Sequence, residues 1–160
     1  MIYIEKAISI YERLGAKDDI ANVLNSKGLI YDYQGDIPKA LEYYHKSLKM
    51  IEEVGDKKGI ASAMSNIAYV YNGQGEVEKA LDYYQQSLKF RQEIDDKNGI
   101  SSSYLGLASV YKNKGDVTTA VDYLHKAYEV SEEVGNKQNM ATILNNLATV
   151  YRFQGDDIKS

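Results

Sequence analysis

Residue types that can do chemistry are sparse in this chain. His45 and His125 are its only histidines, and there is no cysteine. A thiolate nucleophile, a thiolate metal site and a disulfide are therefore excluded. The two histidines stand eighty residues apart, with Gln85 midway between them. If both occupy one position of a repeating unit, they lie roughly 20 Å apart, at about two helix diameters per unit. That is too far to share a metal, and both read as solvated surface histidines. Acidic pairs occur at Glu52-Glu53, Asp95-Asp96, Glu132-Glu133 and Asp156-Asp157. Neighbouring residues on a helix do not face each other, and general acid–base work needs a pocket and a shifted pKa. These pairs read instead as helix ends and turns. Asp18-Asp19 read as partners of a helix dipole. No glycine-rich phosphate loop, His-Glu-x-x-His, Gly-x-Ser-x-Gly or calcium-loop pattern is present. The sequence predicts no cofactor, no metal and no enzyme activity.

Totals narrow the classes further. The 160 residues carry a formal charge of −4, with 44% hydrophobic and 26% charged residues and one proline. Sequence-independent binding to nucleic acid needs a basic footprint, and none is present. No apolar run approaches the roughly 18 residues of a membrane helix. The first residues, Met1 to Lys6, lack a basic stretch followed by an apolar one. No signal peptide is expected there, which favours the cytoplasm.

The elements that must position any site follow from a forty-residue period. Gly35, Gly75, Gly115 and Gly155 repeat at that spacing, as do Tyr31, Tyr71, Tyr111 and Tyr151, and Ala40, Ala80 and Ala120. Gly15, Gly55 and Gly135 form another series, interrupted by Asp95. Residues 36–75 and 76–115 share about 18 identities in 40, the self-similarity of a repeat architecture. The tyrosine richness is a product of the repetition.

Each unit reads as two helices. Ile60, Ala63, Met64, Ile67, Ala68, Val70 and Tyr71 recur at three-four spacing and define one helical face. Asp56, Asp96 and Asn136 stand as N-caps, and Gly75 ends the helix in the left-handed conformation. Asp36, Glu76, Asp116 and Asp156 stand where the following helix begins, and Pro38 falls in a first turn. Two such helices cannot bury both apolar faces alone, so units must stack into a solenoid with a continuous core. Small residues at Gly28, Ala68, Ala108 and Ala148 allow close approach, with Tyr44, Tyr84 and Leu124 filling the gaps. Lys27 stands where Ile67, Leu107 and Leu147 stand, and must snorkel.

The residues Leu24, Gly28, Tyr31, Ala40, Tyr44 and Ser47 resemble the tetratricopeptide repeat signature. So do Met64, Ala68, Tyr71, Ala80, Tyr84 and Ser87, then Tyr104, Ala108, Tyr111, Ala120, Leu124 and Ala127, and finally Leu144, Ala148 and Tyr151. The period is similar to that of the long-repeat subclass, which includes spindle-orientation adaptors of animals and arrays in bacterial signalling proteins. The resemblance implies an all-α, right-handed superhelical solenoid of antiparallel helix pairs, with about 3.5–4 repeats. The expected organisation is a single array over 1–160, an excerpt of a larger protein. Residues 1–14 would be an orphan second helix, 15–54, 55–94 and 95–134 full repeats, and 135–160 a partial one. Ile143, Leu147 and Val150 would then be poorly covered, favouring homodimerisation through exposed repeat ends.

The resemblance also implies a scaffold whose concave groove, lined by first helices, binds a protein or peptide, as a regulatory part of a signalling protein. A structural self-association element without a peptide ligand is the alternative. The groove candidates are Asn22, Asn25, Ser26 and Tyr33, then Ser62, Ser65, Asn66 and Tyr69. Ser102, Ser109 and Lys112 follow, then Thr142, Asn145, Asn146, Thr149 and Arg152, with Phe153 beside them. Asparagine carries both donor and acceptor and can pair with an extended peptide backbone. Relatives that hold a chaperone's terminal carboxylate use a Lys/Arg/Asn clamp. The matching positions here are Asn25, Leu29, Asn66, Ser102 and Gly106. The basic residues are missing, so no such clamp is expected.

Overall fold

A computed structural model describes the backbone of residues 2–157, and the side chains of all of these except residues 2, 8, 12 and 153–157. The elements are α1 (Ile2–Leu14), α2 (Lys17–Tyr33), α3 (Ile37–Val54), α4 (Lys57–Gly73), α5 (Val77–Glu93), α6 (Lys97–Lys114), α7 (Val117–Glu133) and α8 (Lys137–Asp157). Helices pair as α2·α3, α4·α5 and α6·α7, and each pair stacks on the next through α3·α4, α5·α6 and α7·α8. The first helices also touch one another, α4 with α6 and α6 with α8, whereas α3, α5 and α7 make no comparable mutual contact. The first helices therefore form the inner, more tightly spaced side of the solenoid.

Short turns with left-handed residues set this geometry. Gly35, Gly75 and Gly115 have φ of 75°, 74° and 84° between the helices of a pair. Asp95, at φ 52°, is the one non-glycine residue with positive φ among the described residues, so the interrupted glycine series keeps its conformation there. An L-residue pays about 1–2 kcal/mol for it. Asp36, Asp96, Asp116 and Asn136 accept hydrogen bonds from the backbone N–H three residues on, and Asp56 from Lys58. Glu76 makes no such bond and pairs with Lys79 instead, because its extra methylene carries the carboxylate past the helix end. At Gly155 the expected stop does not occur. Helix α8 continues to Asp157, since no helix among the described residues packs back to hold a turn. The side chain of Asp156 lies outside the described residues.

Inside each pair the two helices meet at small residues that are fully buried, and one hydroxyl crosses the contact. Ser47 donates to the Ala21 carbonyl at 2.7 Å, and Ser87 to Ala61 at 2.8 Å. In the third pair the roles exchange, and Ser101 of the first helix donates to Ala127 of the second at 3.1 Å. Next to this contact a ring enters between consecutive first helices. Tyr44 lies against Gly28, where a Cβ would stand 2.7 Å from the ring. Tyr84 lies against Gly106 on the next pair's first helix, so closely that a Cβ there would overlap it. Burial pushes both phenols up to about 12. Leu124, the third member of the series, is flanked by Ala108 and Asn146, with no glycine on either side.

A second set of rings forms stacked pairs, Tyr31–Tyr43, Tyr71–Tyr83 and Tyr111–Tyr123, with centroids 5.4, 5.8 and 5.5 Å apart. Lys27 is buried at 6% exposure and sends its ammonium over the Tyr43 ring, 4.5 Å from the centroid, in keeping with the expected snorkelling. A second buried cation breaks the apolar pattern. Arg91 occupies the column of Ile51 and Ser131 at 8% exposure. Its Nη1 donates to the Gly99 carbonyl and, at 3.1 Å, to Ser103 Oγ, while Nε has no partner. Burial pushes its pKa down, and nearby Asp96 opposes that shift.

Ile143, Leu147 and Val150 do not form an uncovered end. They are 0%, 8% and 4% exposed and join Ala108, Leu124 and Ala127 in one core cluster. These positions face the preceding pair. The uncovered face of α8 carries Leu144 and Tyr151, at 51% and 50%.

Two outcomes follow for stability. Gly106→Ala should lower stability in chemical denaturation, since overpacking at about 1–3 kcal/mol exceeds the roughly 1 kcal/mol alanine gains in helix propensity. Adding Tyr84→Leu should remove the clash, and Gly73→Ala, with nothing near its added Cβ, should not destabilise. Ser47→Ala should cost about 1 kcal/mol, and Ala21→Ser in that background should restore most of it, reproducing the third pair's arrangement.

Candidate binding groove

The inner face is built from the first helices, at positions left over once the apolar stripe of each has turned toward its partner. On α4 the stripe is Ile60, Ala61, Met64, Ile67 and Ala68, which leaves Ser62, Asn66 and Tyr69 toward the groove. Equivalent positions carry Asn22 and Ser26 on α2, Ser102 and Ser109 on α6, and Thr142, Asn146 and Thr149 on α8.

The hydroxyls are mostly spent locally. Ser26, Ser62, Ser102, Thr142 and Thr149 each donate to the carbonyl four residues earlier on their own helix, at 2.8–3.1 Å. A hydroxyl so engaged keeps its lone pairs and presents an acceptor. The amides behave differently, because they bridge adjacent helices. Asn66 Nδ2 donates to Asn25 Oδ1 at 2.8 Å, tying α4 to α2. Asn113 Nδ2 donates to Asn72 Oδ1 at 3.0 Å, and Asn72 Nδ2 donates to Ser109 Oγ at 3.1 Å, tying α6 to α4. Asn136 donates to Asn98 at 2.7 Å at the start of α8. Each amide has two N–H donors and an acceptor oxygen. The Asn25–Asn66 pair uses one donor and one acceptor, so both residues retain capacity for a ligand.

Tyr33 and Tyr69 project into solvent, at 84% and 64% exposure. Lys112, Asn145, Asn146 and Arg152 are exposed along α6 and α8, and the Phe153 side chain lies outside the described residues. Ser65 does not line the groove. It is half-buried and hydrogen-bonds with Ser87 Oγ of α5 at 2.8 Å. His125 is exposed, but His45 is half-buried against Tyr83, with ring centroids 6.0 Å apart. Desolvation there lowers the His45 pKa. The acidic pairs at 52–53, 95–96 and 132–133 lie at helix ends and turns, and Asp156 and Asp157 fall within α8 with side chains outside the described residues. Glu53, Glu93 and Glu133 bridge to Lys17, Lys57 and Lys97 at 2.8, 2.7 and 3.3 Å, with Lys97 half-buried and the others exposed.

Asn72 and Asn113 escaped the sequence reading. They follow Tyr71 by one residue and Tyr111 by two, at the C-terminal ends of α4 and α6, and their near-forty spacing is the available signal. No cluster of metal-ligating side chains and no helix long and apolar enough to cross a membrane occurs among the described residues.

Known proteins share this architecture. Aspartyl phosphate phosphatase F from Bacillus subtilis superposes with a TM-score of 0.82 over 97% of this chain and 44% of its own, at 15% identity. BtubC from P. vanneervenii superposes at 0.77, covering 96% of this chain and 67% of its own, at 24% identity. A signal transduction ATPase from Pyrococcus horikoshii, with a tetratricopeptide repeat sensor, also reaches 0.77, over 88% of this chain and 22% of its own, at 23% identity. At these identities the likeness is one of fold. A search of curated protein sequences returns no match. The sequence profile of the tetratricopeptide repeat matches residues 19–93 and 99–159. With paired helices stacked at a forty-residue period and the profile spanning most of its length, the chain belongs to the tetratricopeptide repeat family.

Proposed function

We propose that the chain is a protein-interaction scaffold that holds an extended peptide along the inner face of α2, α4, α6 and α8, as a regulatory part of a longer protein. The observation that carries this reading is the amide bridging of the first helices, with Asn25 and Asn66 as its clearest pair. Amides already fixed by a neighbour lose little entropy when a ligand arrives. Their remaining donors and acceptors match the alternating N–H and C=O of a peptide main chain. Tyr33 and Tyr69 supply exposed aromatic surface beside them for side-chain contacts. The regulatory part of the proposal draws on the sensor named in the Pyrococcus ATPase, of which this chain spans 22%.

A second reading has its own observation. Leu144 and Tyr151 expose apolar surface on α8, which suits stacking of two copies. The two readings separate in light scattering over a concentration series, with and without a mixture of extended peptides. A scaffold stays monomeric and retains peptides. Tyr33→Ala with Tyr69→Ala should then weaken retention by about tenfold, the loss of aromatic anchors worth over about 1 kcal/mol, with helicity unchanged. A dimer that retains no peptide, and that Leu144→Glu with Tyr151→Glu converts to monomer, would replace the groove reading with the stacking one.

A further inference from the structure

Amides and hydroxyls can grip a main chain without fixing where its side chains fall. Charges on the inner face can fix that. Beyond the first turn of each first helix, and through residue 152, the charged residues are Lys27, Asp32, Lys112, Lys114 and Arg152. Lys27 lies over Tyr43 and Lys114 pairs with Glu78, so both reach toward second helices. Asp18, Asp19 and Lys58 stand in first turns, about 20 Å away along the helices at 1.5 Å per residue. The remaining three share one column of the repeat. It reads Asp32, Asn72, Lys112 and Arg152, from negative through neutral to positive.

The surroundings of the two ends differ in the same sense. Asp32 is half-buried between α2 and α4, in a crevice it shares with Tyr69 and Asn72. Burial raises the Tyr44 phenol's pKa, and Asp32, Tyr33 and Tyr69 add to that shift, so all three lie near one hydroxyl. Two repeats on, Lys112 shares the crevice between α6 and α8 with Ser109 and Asn146, and no carboxylate lines it. Neither the Asp32 carboxylate nor the Lys112 ammonium has an ion-pair or hydrogen-bond partner among the described residues.

We propose that this column orients the bound peptide: a basic side chain seats at Asp32 and an acidic one at Lys112, about six residues apart. The proposal rests on the groove reading, since it needs a chain lying along the inner face. At the α2 end a cation meets a carboxylate and an exposed aromatic ring, and both attract it. At the α6 end an anion meets an ammonium and the Asn146 amide, which can donate to it. The opposite placement sets like charges together at both ends. The spacing follows from the stacking. From α2 to α6 is two steps between neighbouring first helices, about 20 Å at about 10 Å per step. An extended chain advances about 3.3 Å per residue.

The test uses the ¹⁵N-labelled chain and acetylated, amidated peptides, so that no terminal charge is present. The probe is Lys-Ser-Ala-Ser-Ala-Ser-Glu, and the control carries Gln at both ends. The probe should bind about fivefold more tightly than the control, the product of two exposed ion pairs. That advantage should vanish at 1 M salt, where the Debye length is about 3 Å. A nitroxide beside the probe's Lys should broaden the amides of Tyr33 and Tyr69, and one beside its Glu those of Ser109 and Asn146. Asp32→Asn or Lys112→Gln should each cut the advantage to about twofold, with helicity unchanged. Asp32→Lys with Lys112→Glu should exchange the two broadening patterns. Equal binding of probe and control at low salt would overturn the proposal and leave the groove reading standing. So would broadening in wild type that does not depend on which end carries the nitroxide. A probe that binds at both ends while the control does not bind would remove the backbone-gripping groove and keep the charged column. No shifts with either peptide would overturn both.

Discussion

The whole array depends on how closely two helices approach within each pair. At that contact every side chain is alanine or serine, and all of them are excluded from water: Ala21 with Ser47, Ala61 with Ser87, Ser101 with Ala127. Larger residues would push the helices apart and open the core beside them. A buried hydroxyl needs a partner, and each finds a carbonyl on the facing helix. The donor changes sides in the third pair, yet one hydroxyl always crosses. Shape is the fixed requirement, and the identity of the donor is free as long as its proton is accepted. Once the pair is held at this distance, the space between successive first helices is fixed, and so is the ring or smaller side chain that can enter it.

Much of this was legible in the sequence. The forty-residue period gave the helices, the turns at Gly35, Gly75 and Gly115, and the position of Lys27 among leucines and isoleucines. Periodicity says which residues are equivalent, but not which neighbour each one faces. Ser65 and Asn25 share a column, yet one turns to α5 and the other to α4, because the residues opposite them differ. The same limit explains Ile143, Leu147 and Val150. Their apolar spacing showed a buried face, and only the packing shows that it points to the preceding pair. Glu76 repeats the acidic character of Asp36 and Asp116, but one methylene separates a cap from a surface ion pair. His45 and His125 are equivalent by spacing, yet His45 is half-buried against Tyr83 and His125 is exposed.

The groove gains its order from polar contacts between repeats. Exposed ion pairs such as Lys17–Glu53 contribute little, since water and salt screen them. The amide bridges lie nearer the axis of stacking and span adjacent first helices directly. They limit the relative sliding of those helices, so the spacing of groove donors and acceptors is set before any ligand is present. On the proposed reading, a lining built mainly of amides and hydroxyls is matched to a peptide backbone.

Arg91 makes one joint of the solenoid unlike the others. Its column holds Ile51 in the preceding repeat and Ser131 in the next, and its buried Nε lacks a partner. The stability of a linear array is close to a sum over repeats and their interfaces, so a costly interface is not averaged away. Water reaching the guanidinium would recover hydration that burial withholds, which lowers the free energy of opening at that seam relative to its apolar counterparts. An opening that starts at this seam would part α5 from α6 and bend the inner face at its middle.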